Sequence, residues 1–405
     1  MTGLRPGTVA DRVDGEVPPQ VAEPDSPQAF ADTLKRASAE RLATVIRGGG
    51  TKLTWGRQPA SVDLVISTTR LKRLIAHRHG DLTATVQAGM TLRDLNVALS
   101  AERQWLPIDS AFDEATIGGI VATNDSGPSR HRNGTPRDLV IGITLALTDG
   151  RLVKAGGTVV KNVAGYDLGK LVSGSHGTLA GIVDVTFKLV PVPQSSATLV
   201  ASYTDSGVLA RDVAALDASQ IEPAAFDIRA DEGNRPYQLK LRIATSPAAR
   251  DAQIAAARTL VSGEVTVVTD MGEHAAWTEQ LDTMSHGDSP GSATVRFSWL
   301  PSRLAQVLTL IEELRRVEHV GVTFTGRVLG AGVVRLTGDT TVLAAAVGRL
   351  RGSPDVGNVV VLRGAHELKQ RVDVWGPERA SDRVARAVKS TFDPAGILNA
   401  GRGPI

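Results

Sequence analysis

Residues 43–52 read Ala43-Thr44-Val45-Ile46-Arg47-Gly48-Gly49-Gly50-Thr51-Lys52, a β-branched run that stops at three consecutive glycines. The apolar run suits a short buried strand. The glycines behind it free successive backbone N–H groups to curve around an anion, with Thr51 adding a hydroxyl donor. The spacing is neither GxGxxG nor a Walker loop, because no Lys-Ser/Thr pair closes it. Alone, the turn fits a plain chain reversal as well as a phosphate cradle. A second stretch runs Ala115-Thr116-Ile117-Gly118-Gly119-Ile120-Val121-Ala122-Thr123-Asn124-Asp125-Ser126-Gly127 and is followed by Arg132, Gly134 and Asp138. Its small residues at 118, 119, 122 and 127 would let a planar or phosphate-bearing ligand lie against the main chain, and Thr116, Thr123 and Asn124 offer hydrogen bonds. The same small residues also suit tight helix–sheet packing. The third stretch is Lys161-Asn162-Val163-Ala164-Gly165-Tyr166-Asp167-Leu168, then Gly174-Ser175-His176-Gly177-Thr178-Leu179-Ala180-Gly181-Ile182. His176, between Ser175 and Gly177, reads as a loop residue near a ligand.

Around these stretches the chain reads as α+β. Residues 1–27 hold five prolines and no periodicity and are expected to form a flexible N-terminal arm. Phe30, Leu34, Ala37 and Leu42 predict an amphipathic helix within Gln28–Thr44. Strands follow at Ala43–Ile46, Leu64–Ile66 and Ala84–Val86, with helices around Leu71–His77 and over Leu92–Leu99. Leu139–Leu147 and Val183–Val192 read as strands, and Pro191 and Pro193 mark a boundary near 194. The organisation expected is one domain over 28–194, a second over 195–385 and a returning C-terminal segment over 386–405. Strands at Gln238–Ile243, Ala293–Trp299, Gly321–Val328 and Gly332–Thr337, with helices at Ala248–Val261 and Pro301–Val317, predict an antiparallel sheet backed by helices in the second domain.

Composition narrows the functions. The chain of 405 residues is 42% hydrophobic and 22% charged, with 45 Lys and Arg against 43 Asp and Glu. A formal charge of +2 argues against nucleic acid as a partner, and the 4% of aromatic residues is thin for base stacking. There are no cysteines, so disulfides, a thiol nucleophile and an iron–sulfur cluster on the chain's own thiolates are excluded. Redox chemistry would need an organic cofactor. The sequence shows neither a signal-peptide pattern nor an apolar run long enough to span a bilayer, and a cytoplasmic location is expected.

Three glycine-dense loops in this order over residues 25–194 resemble the FAD-binding domain of the p-cresol methylhydroxylase and vanillyl-alcohol oxidase (PCMH-type) superfamily. The resemblance implies a two-part FAD-binding domain followed by an α/β cap domain. It assigns to FAD the segments Arg47–Lys52, Thr116–Gly127 and Lys161–Ile182. The residues it carries over are Arg47, Gly48, Gly49, Gly50, Thr51 and Lys52, then Asp109, Thr116, Ile117, Gly118, Gly119, Ala122, Thr123, Asn124, Gly127, Arg132, Gly134 and Asp138. From the third stretch come Lys161, Asn162, Gly165, Tyr166, Asp167, Gly174, Ser175, Gly177, Thr178, Leu179 and Ile182. The tail Phe392-Asp393-Pro394-Ala395-Gly396-Ile397-Leu398-Asn399-Ala400-Gly401-Arg402 is similar to the family's closing signature, with Ala400 where a proline is usual, and adds Asn399 and Arg402. With residues 362–377, LRGAHELKQRVDVWGP, the resemblance extends to the FAD-binding E subunits of bacterial glycolate oxidase. Thr51 stands where many members attach flavin through histidine, and no histidine precedes His77, so non-covalent FAD is expected. The histidine-rich metal site of the longer 2-hydroxy-acid dehydrogenases does not occur, and His274, His286, His319 and His366 are not at ligand spacing; no metal is expected.

The implied activity is oxidation of a small 2-hydroxy acid such as glycolate to the 2-oxo acid by hydride transfer to FAD. Electrons would leave through a second flavoprotein subunit and an iron–sulfur subunit, with at most peripheral membrane association through those partners. Such chemistry needs a cation for the carboxylate and a base for the hydroxyl proton. Arg296, Arg327, Arg335 and Arg363 are candidates for the first role and His366 for the second. Two other readings stay open: a structural FAD-binding companion of a catalytic flavoprotein, and a stand-alone FAD-dependent alcohol or sugar oxidase.

Overall fold

The computed structural model describes residues 4–158, 165–233, 236–285 and 290–403 and mixes helix with sheet. The chain divides into two compact units. The first comprises residues 1–126, 134–192 and 377–405, and the second residues 127–133 and 193–376. The chain thus rejoins the first unit at Pro377, earlier than the expected 386, and lends Gly127–Asn133 to the second. No helix among the described residues is long and apolar enough to cross a membrane.

The first unit holds two main sheets. One has four strands in the order Leu4–Pro6, Gln20–Ala22, Leu64–Ser67 and Thr44–Arg47; the last three are parallel, and the first pairs antiparallel at the edge. The expectation of a flexible arm over residues 1–27 is corrected here. Val13 and Val21 are buried with Val45, Val62 and Val65 in a small apolar core. Asp11, only 2% exposed, accepts from Arg5 Nη1 (2.7 Å), Arg5 Nη2 (2.9 Å) and the Thr8 amide (2.9 Å), and pairs with Arg47 Nη2 at 2.9 Å. Proline density described a chain made of short strands and turns, and a few apolar contacts with one buried carboxylate suffice to seat it.

The helix Pro27–Ala39 starts where Ser26 accepts from the Ala29 amide (3.2 Å) and Pro27 fills the first turn. It buries Phe30, Ala31, Leu34 and Ala37 on one face, against Leu64, Ile66, Ala146 and Val183. Ile397 and Leu398 of the C-terminal tail complete this core. The second sheet is antiparallel, in the order Leu74–Arg78, Thr83–Gln87, Gly181–Lys188, Val140–Ala146 and Leu152–Gly156. The helix expected around Leu71–His77 is instead the edge strand Leu74–Arg78. Apolar residues at 71, 74 and 75 mimic helical spacing, but a turn through Leu82, at φ +53°, folds this segment onto Thr83–Gln87, and pairing overrides the local pattern.

The second unit is built on one eight-stranded antiparallel sheet. Its order is Glu264–Val268, Ser195–Tyr203, Tyr237–Thr245, Ala225–Ala230, Gly321–Arg327, Ala331–Thr337, Ser292–Trp299 and Val356–Gly364. Helices Ser206–Asp217, Pro247–Leu260, Leu304–Arg315 and Thr340–Gly352 contribute to its large apolar core with Leu199, Leu241, Phe297 and Phe324. Strand alternation puts polar side chains on the opposite face. There the helix Asp270–Ser285 is held by polar contacts: Lys240 Nζ donates to Glu279 Oε2 (2.7 Å) and to the Ala276 carbonyl (3.0 Å), and Arg242 Nε to Glu273 Oε1 (3.1 Å).

Two outcomes test this packing. A Cβ on Gly181 would lie 2.2 Å from the Phe30 ring, which is fully buried and has nowhere to move. Gly181→Ala is expected to cost about 1–3 kcal/mol of unfolding free energy, whereas Gly80→Ala, which meets nothing within 4 Å, stays within about 0.5 kcal/mol of the parent in denaturant titrations. The two guanidinium groups hold the Asp11 carboxyl far below the usual carboxylate range. A depressed folded-state value means that the stability Asp11 contributes is present above its unfolded value near pH ~3.9 and is lost as pH falls towards the folded one. The gap between the parent and Asp11→Asn in thermal unfolding is therefore expected to be widest near neutrality and to close on acidification.

Candidate functional site

A cleft opens in the first unit. One wall is the turn Arg47–Lys52 behind the strand Thr44–Arg47. The second is Thr116, Gly118, Gly119, Ala122 and Thr123, around the short helix Ile117–Thr123. His176, Gly177, Ala180 and Ile182 supply the third, and Asn399 and Arg402 of the tail the fourth. The glycine turn and the helix entry touch without room for a side chain: a Cβ on Gly49 would lie 1.8 Å from the Glu114 carbonyl oxygen, and one on Gly48 1.9 Å from Thr116 Oγ1. A Cβ on Gly118 would meet Ala88 at 2.9 Å. The glycines let separate segments of chain pack together closely beside the cleft.

The tail works as a strut. Asp393 accepts from the amides of Ile397 (3.2 Å) and Leu398 (2.8 Å), shaping its turn. Backbone bonds then join it to the strand Thr44–Arg47, from the Thr44 amide to the Ile397 carbonyl (2.8 Å) and from the Asn399 amide to the Thr44 carbonyl (2.9 Å). Asn399 Nδ2 donates to the His176 carbonyl (2.6 Å), and Arg402 Nη2 donates to the carbonyls of Trp55 (3.0 Å) and Leu53. Arg402 is buried, and desolvation pushes its pKa down to about 10. Its fork is spent on holding the loop after the glycine turn.

Of the residues expected to contact FAD, Arg47, Gly48, Gly49, Gly50, Thr51, Lys52, Thr116, Gly118, Gly119, Ala122, Thr123, Gly177, Ile182, Asn399 and Arg402 line this one cleft. Several present something other than expected. Arg47 points its guanidinium at Asp11, Lys52 pairs with Asp125 at 2.8 Å, and the Thr123 hydroxyl donates back to the Gly119 carbonyl (2.8 Å).

The remaining expectations fall elsewhere. Ile117 and Leu179 are buried apolar residues, and Asp109 is half-buried off the lining. Asn124 takes a left-handed conformation (φ +49°) and accepts from the Arg137 amide (3.1 Å), closing the helix. Asp138 accepts from the Thr135 amide and hydroxyl (both 2.8 Å), and Gly134, at φ +76°, makes room for it. Gly127 and Arg132 belong to the second unit. The Gly127 carbonyl accepts from Arg327 Nε (3.1 Å), and Arg132 donates to the carbonyls of Ala244 (3.0 Å) and Glu222 (2.6 Å). Gly165 and Gly174 are turn glycines with positive φ. Tyr166 is 91% exposed, and Asp167 caps the helix Leu168–Val172 by accepting from the Lys170 amide (3.0 Å). The Ser175 carbonyl accepts from the Thr178 hydroxyl (2.7 Å) in a local turn. Lys161 and Asn162 lie outside the described residues, as does His286.

Sequence reasoning missed Ile46, Leu53, Trp55, Thr68, Ala88 and Ala180 on the lining. Trp55, close behind the glycine turn and one of five tryptophans, was the signal available. Among the catalytic candidates, Arg296 and Arg327 sit on strands of the second unit and His366 opens the helix His366–Arg371. The residues lining the cleft all belong to the first unit. His366 is exposed, with Nε2 at 2.7 Å from Gln370 Nε2. Register places Arg335 and Arg363 on either side of Thr294, on the same sheet face as Arg296 and Arg327. Among the described residues, no group of three or more His, Asp or Glu side chains is placed to hold a metal ion.

A mixed sheet and an antiparallel sheet beside a glycine-walled cleft, followed along the chain by a helix-backed antiparallel sheet, define an α+β architecture. Residues 18–156 match the FAD binding domain family, and the cofactor that this stretch serves is FAD. The chain is 34% identical over 212 residues to the glycolate oxidase subunit GlcD of Bacillus subtilis (52% of this chain, 45% of the relative). It is 34% identical over 171 residues to a D-lactate dehydrogenase of Archaeoglobus fulgidus (42% and 38%) and 33% identical over 179 residues to the glycolate oxidase subunit GlcE of Escherichia coli (44% and 51%). The matches span about half the length of these curated relatives or less. The solved structure of alkyldihydroxyacetonephosphate synthase shares the fold, with a TM-score of 0.69 over 95% of this chain and 76% of that one at 15% identity.

The residues present suit the cofactor. Thr116 Oγ1 and Trp55 Nε1, both on lining residues, are buried with no hydrogen-bond partner among the described residues. A hydroxyl and an indole N–H left so at a cleft wall fit a ligand rich in oxygen acceptors. Gly49→Ala drives a Cβ into backbone, which cannot yield as a side chain can. It is expected to weaken FAD binding at least tenfold, read by quenching of flavin fluorescence on titration.

Proposed function

We propose that this chain is an FAD-dependent oxidoreductase of the 2-hydroxy-acid class, acting as a flavin-carrying subunit of a glycolate-oxidase-type assembly. Its substrate would be a small 2-hydroxy acid such as glycolate or D-lactate, oxidised to the 2-oxo acid. The observation that carries the reading is the cleft itself, whose abutting segments Gly48–Gly49 and Glu114–Thr116 lie within the stretch matching an FAD binding domain. The relatives named as glycolate oxidase subunits and D-lactate dehydrogenase supply the substrate class. Bound there, FAD supplies a two-electron acceptor. With no cysteine in the chain, electrons would pass onward to partner subunits, a second flavoprotein and an iron–sulfur protein.

In this reading the chain's own residues divide the work. The glycine turn, Thr116 and Trp55 hold the cofactor, with no histidine at the Thr51 position to bond it covalently. The second unit's arginines around Thr294 are suited to a carboxylate, because a guanidinium fork pairs both oxygens. Arg335 is favoured. It is half-buried, its Nε has no hydrogen-bond partner among the described residues, and its Nη2 reaches only Thr323 Oγ1, at 3.4 Å.

The purified chain is expected to show a flavin spectrum that moves wholly into the supernatant on acid precipitation. Flavin kept in the pellet would instead point to covalent attachment and to His176, a histidine on the cleft wall. Anaerobic addition of glycolate or D-lactate is expected to bleach the bound flavin. Intact colour with both acids would favour the structural-companion reading, and peroxide formed without partners the stand-alone oxidase.

A further inference from the structure

Lys52, directly behind the glycine turn, does not present its ammonium to the cleft alone. Its Nζ lies 2.8 Å from Asp125 Oδ2, and the two side chains are only 7% and 3% exposed. Asp125 belongs to the segment that leaves the short helix Ile117–Thr123, so the pair joins the glycine-turn wall to the helix wall of the same cleft. Ser110 Oγ donates to the same carboxylate oxygen (3.1 Å), and the Asp125 amide donates to the Ile120 carbonyl (3.0 Å), which fixes the acid on its side. On the other side the ammonium lies 5.7 Å from the Trp55 ring centroid and 5.3 Å from that of Phe112. Two charges withdrawn from water hold each other tightly, because removing either leaves the other buried and uncompensated.

We propose that Lys52 and Asp125 are a positioning pair for FAD, a buried ionic tie that keeps the two walls of the cleft at binding distance. The pair extends the FAD assignment, on which it rests, to Asp125, a residue of the second stretch that was not among the expected cofactor contacts. It also replaces the simpler role for Lys52 as a direct ligand of the cofactor's phosphates. The two roles differ in sign at Asp125. If Lys52 were a phosphate ligand, neutralising Asp125 would free its charge and tighten binding of an anionic cofactor. If the pair is a tie, neutralising either partner loosens the cleft.

The test is a double-mutant cycle on the full chain, with FAD affinity read by flavin fluorescence quenching and the bound flavin's environment by visible circular dichroism. Lys52→Met and Asp125→Asn are each expected to weaken FAD binding at least tenfold. The double variant Lys52→Met/Asp125→Asn is expected to be no weaker than the worse single variant and still at least tenfold weaker than the parent. Lys52→Arg, which keeps the charge, should restore affinity to within about threefold and the parent's dichroism, a rescue that loss of packing alone would not give. If the single variants fail to fold, the double variant, which carries no buried charge at either position, decides. Tighter binding by Asp125→Asn, or parental affinity in the double variant, overturns the proposal. A parent chain that takes up no FAD overturns the cofactor reading and the pair with it, whereas FAD uptake by the parent with unchanged variants overturns the pair alone.

Discussion

The approach of Gly49 to the Glu114 carbonyl, and of Gly48 to the Thr116 hydroxyl, is the constraint around which the first unit is arranged. Neither contact tolerates a Cβ, so the turn behind the strand Thr44–Arg47 packs directly on the segment that leads into the helix Ile117–Thr123, and the cleft lies beside that meeting. The rest of the unit keeps the contact in place. Thr68 donates from its amide to the Arg47 carbonyl (2.8 Å), the Gly118 amide donates to the Ala88 carbonyl (2.8 Å), and the tail laces Thr44 to Ile397 and Asn399. A segment some 350 residues along the chain from the glycine turn is thereby part of the same wall.

Charge is used in the same service. Around the turn stand two ion pairs, Arg47 with Asp11 and Lys52 with Asp125. Each takes a cation that the sequence offers as a phosphate ligand and spends it on structure. The unpartnered donors that remain on lining residues, the Thr116 hydroxyl and the Trp55 indole N–H, are neutral and need no counter-charge. The second unit separates its chemistry by strand alternation. One face of its sheet carries the apolar core, and the other carries Asp227, Arg229, Lys240, Thr294 and Arg335.

Much of this was legible before any coordinates. The glycine stretches at 48–50, 118–119 and 177 do line one cleft, because glycine in a strand-to-turn position answers a backbone demand that does not depend on distant context. The helices with clear caps and spacing, Pro27–Ala39 and Leu92–Ser100, fall close to where periodicity put them. What failed were inferences that tertiary pairing decides. Leu74–Arg78 is a strand because Thr83–Gln87 is there to receive it, and the proline-rich start is seated because Asp11 finds two arginines. Within the glycine motifs, polar residues divided by local geometry. Asp138 and Asp167 cap helices, Arg132 donates to the Ala244 and Glu222 carbonyls, and Tyr166 faces solvent, roles that proximity in sequence to a glycine turn does not distinguish. Thr68 and Ala88 were invisible because nothing in their surroundings marks a residue that only the fold brings to a wall.

The most direct measurement is backbone hydrogen exchange of the full chain with and without added FAD. The account expects protection on binding to concentrate in residues 47–55, 114–124, 176–182 and 399–402, the four segments that the structure joins into one cleft. Protection absent from these segments, or gathered instead in the second unit's sheet, would contradict it.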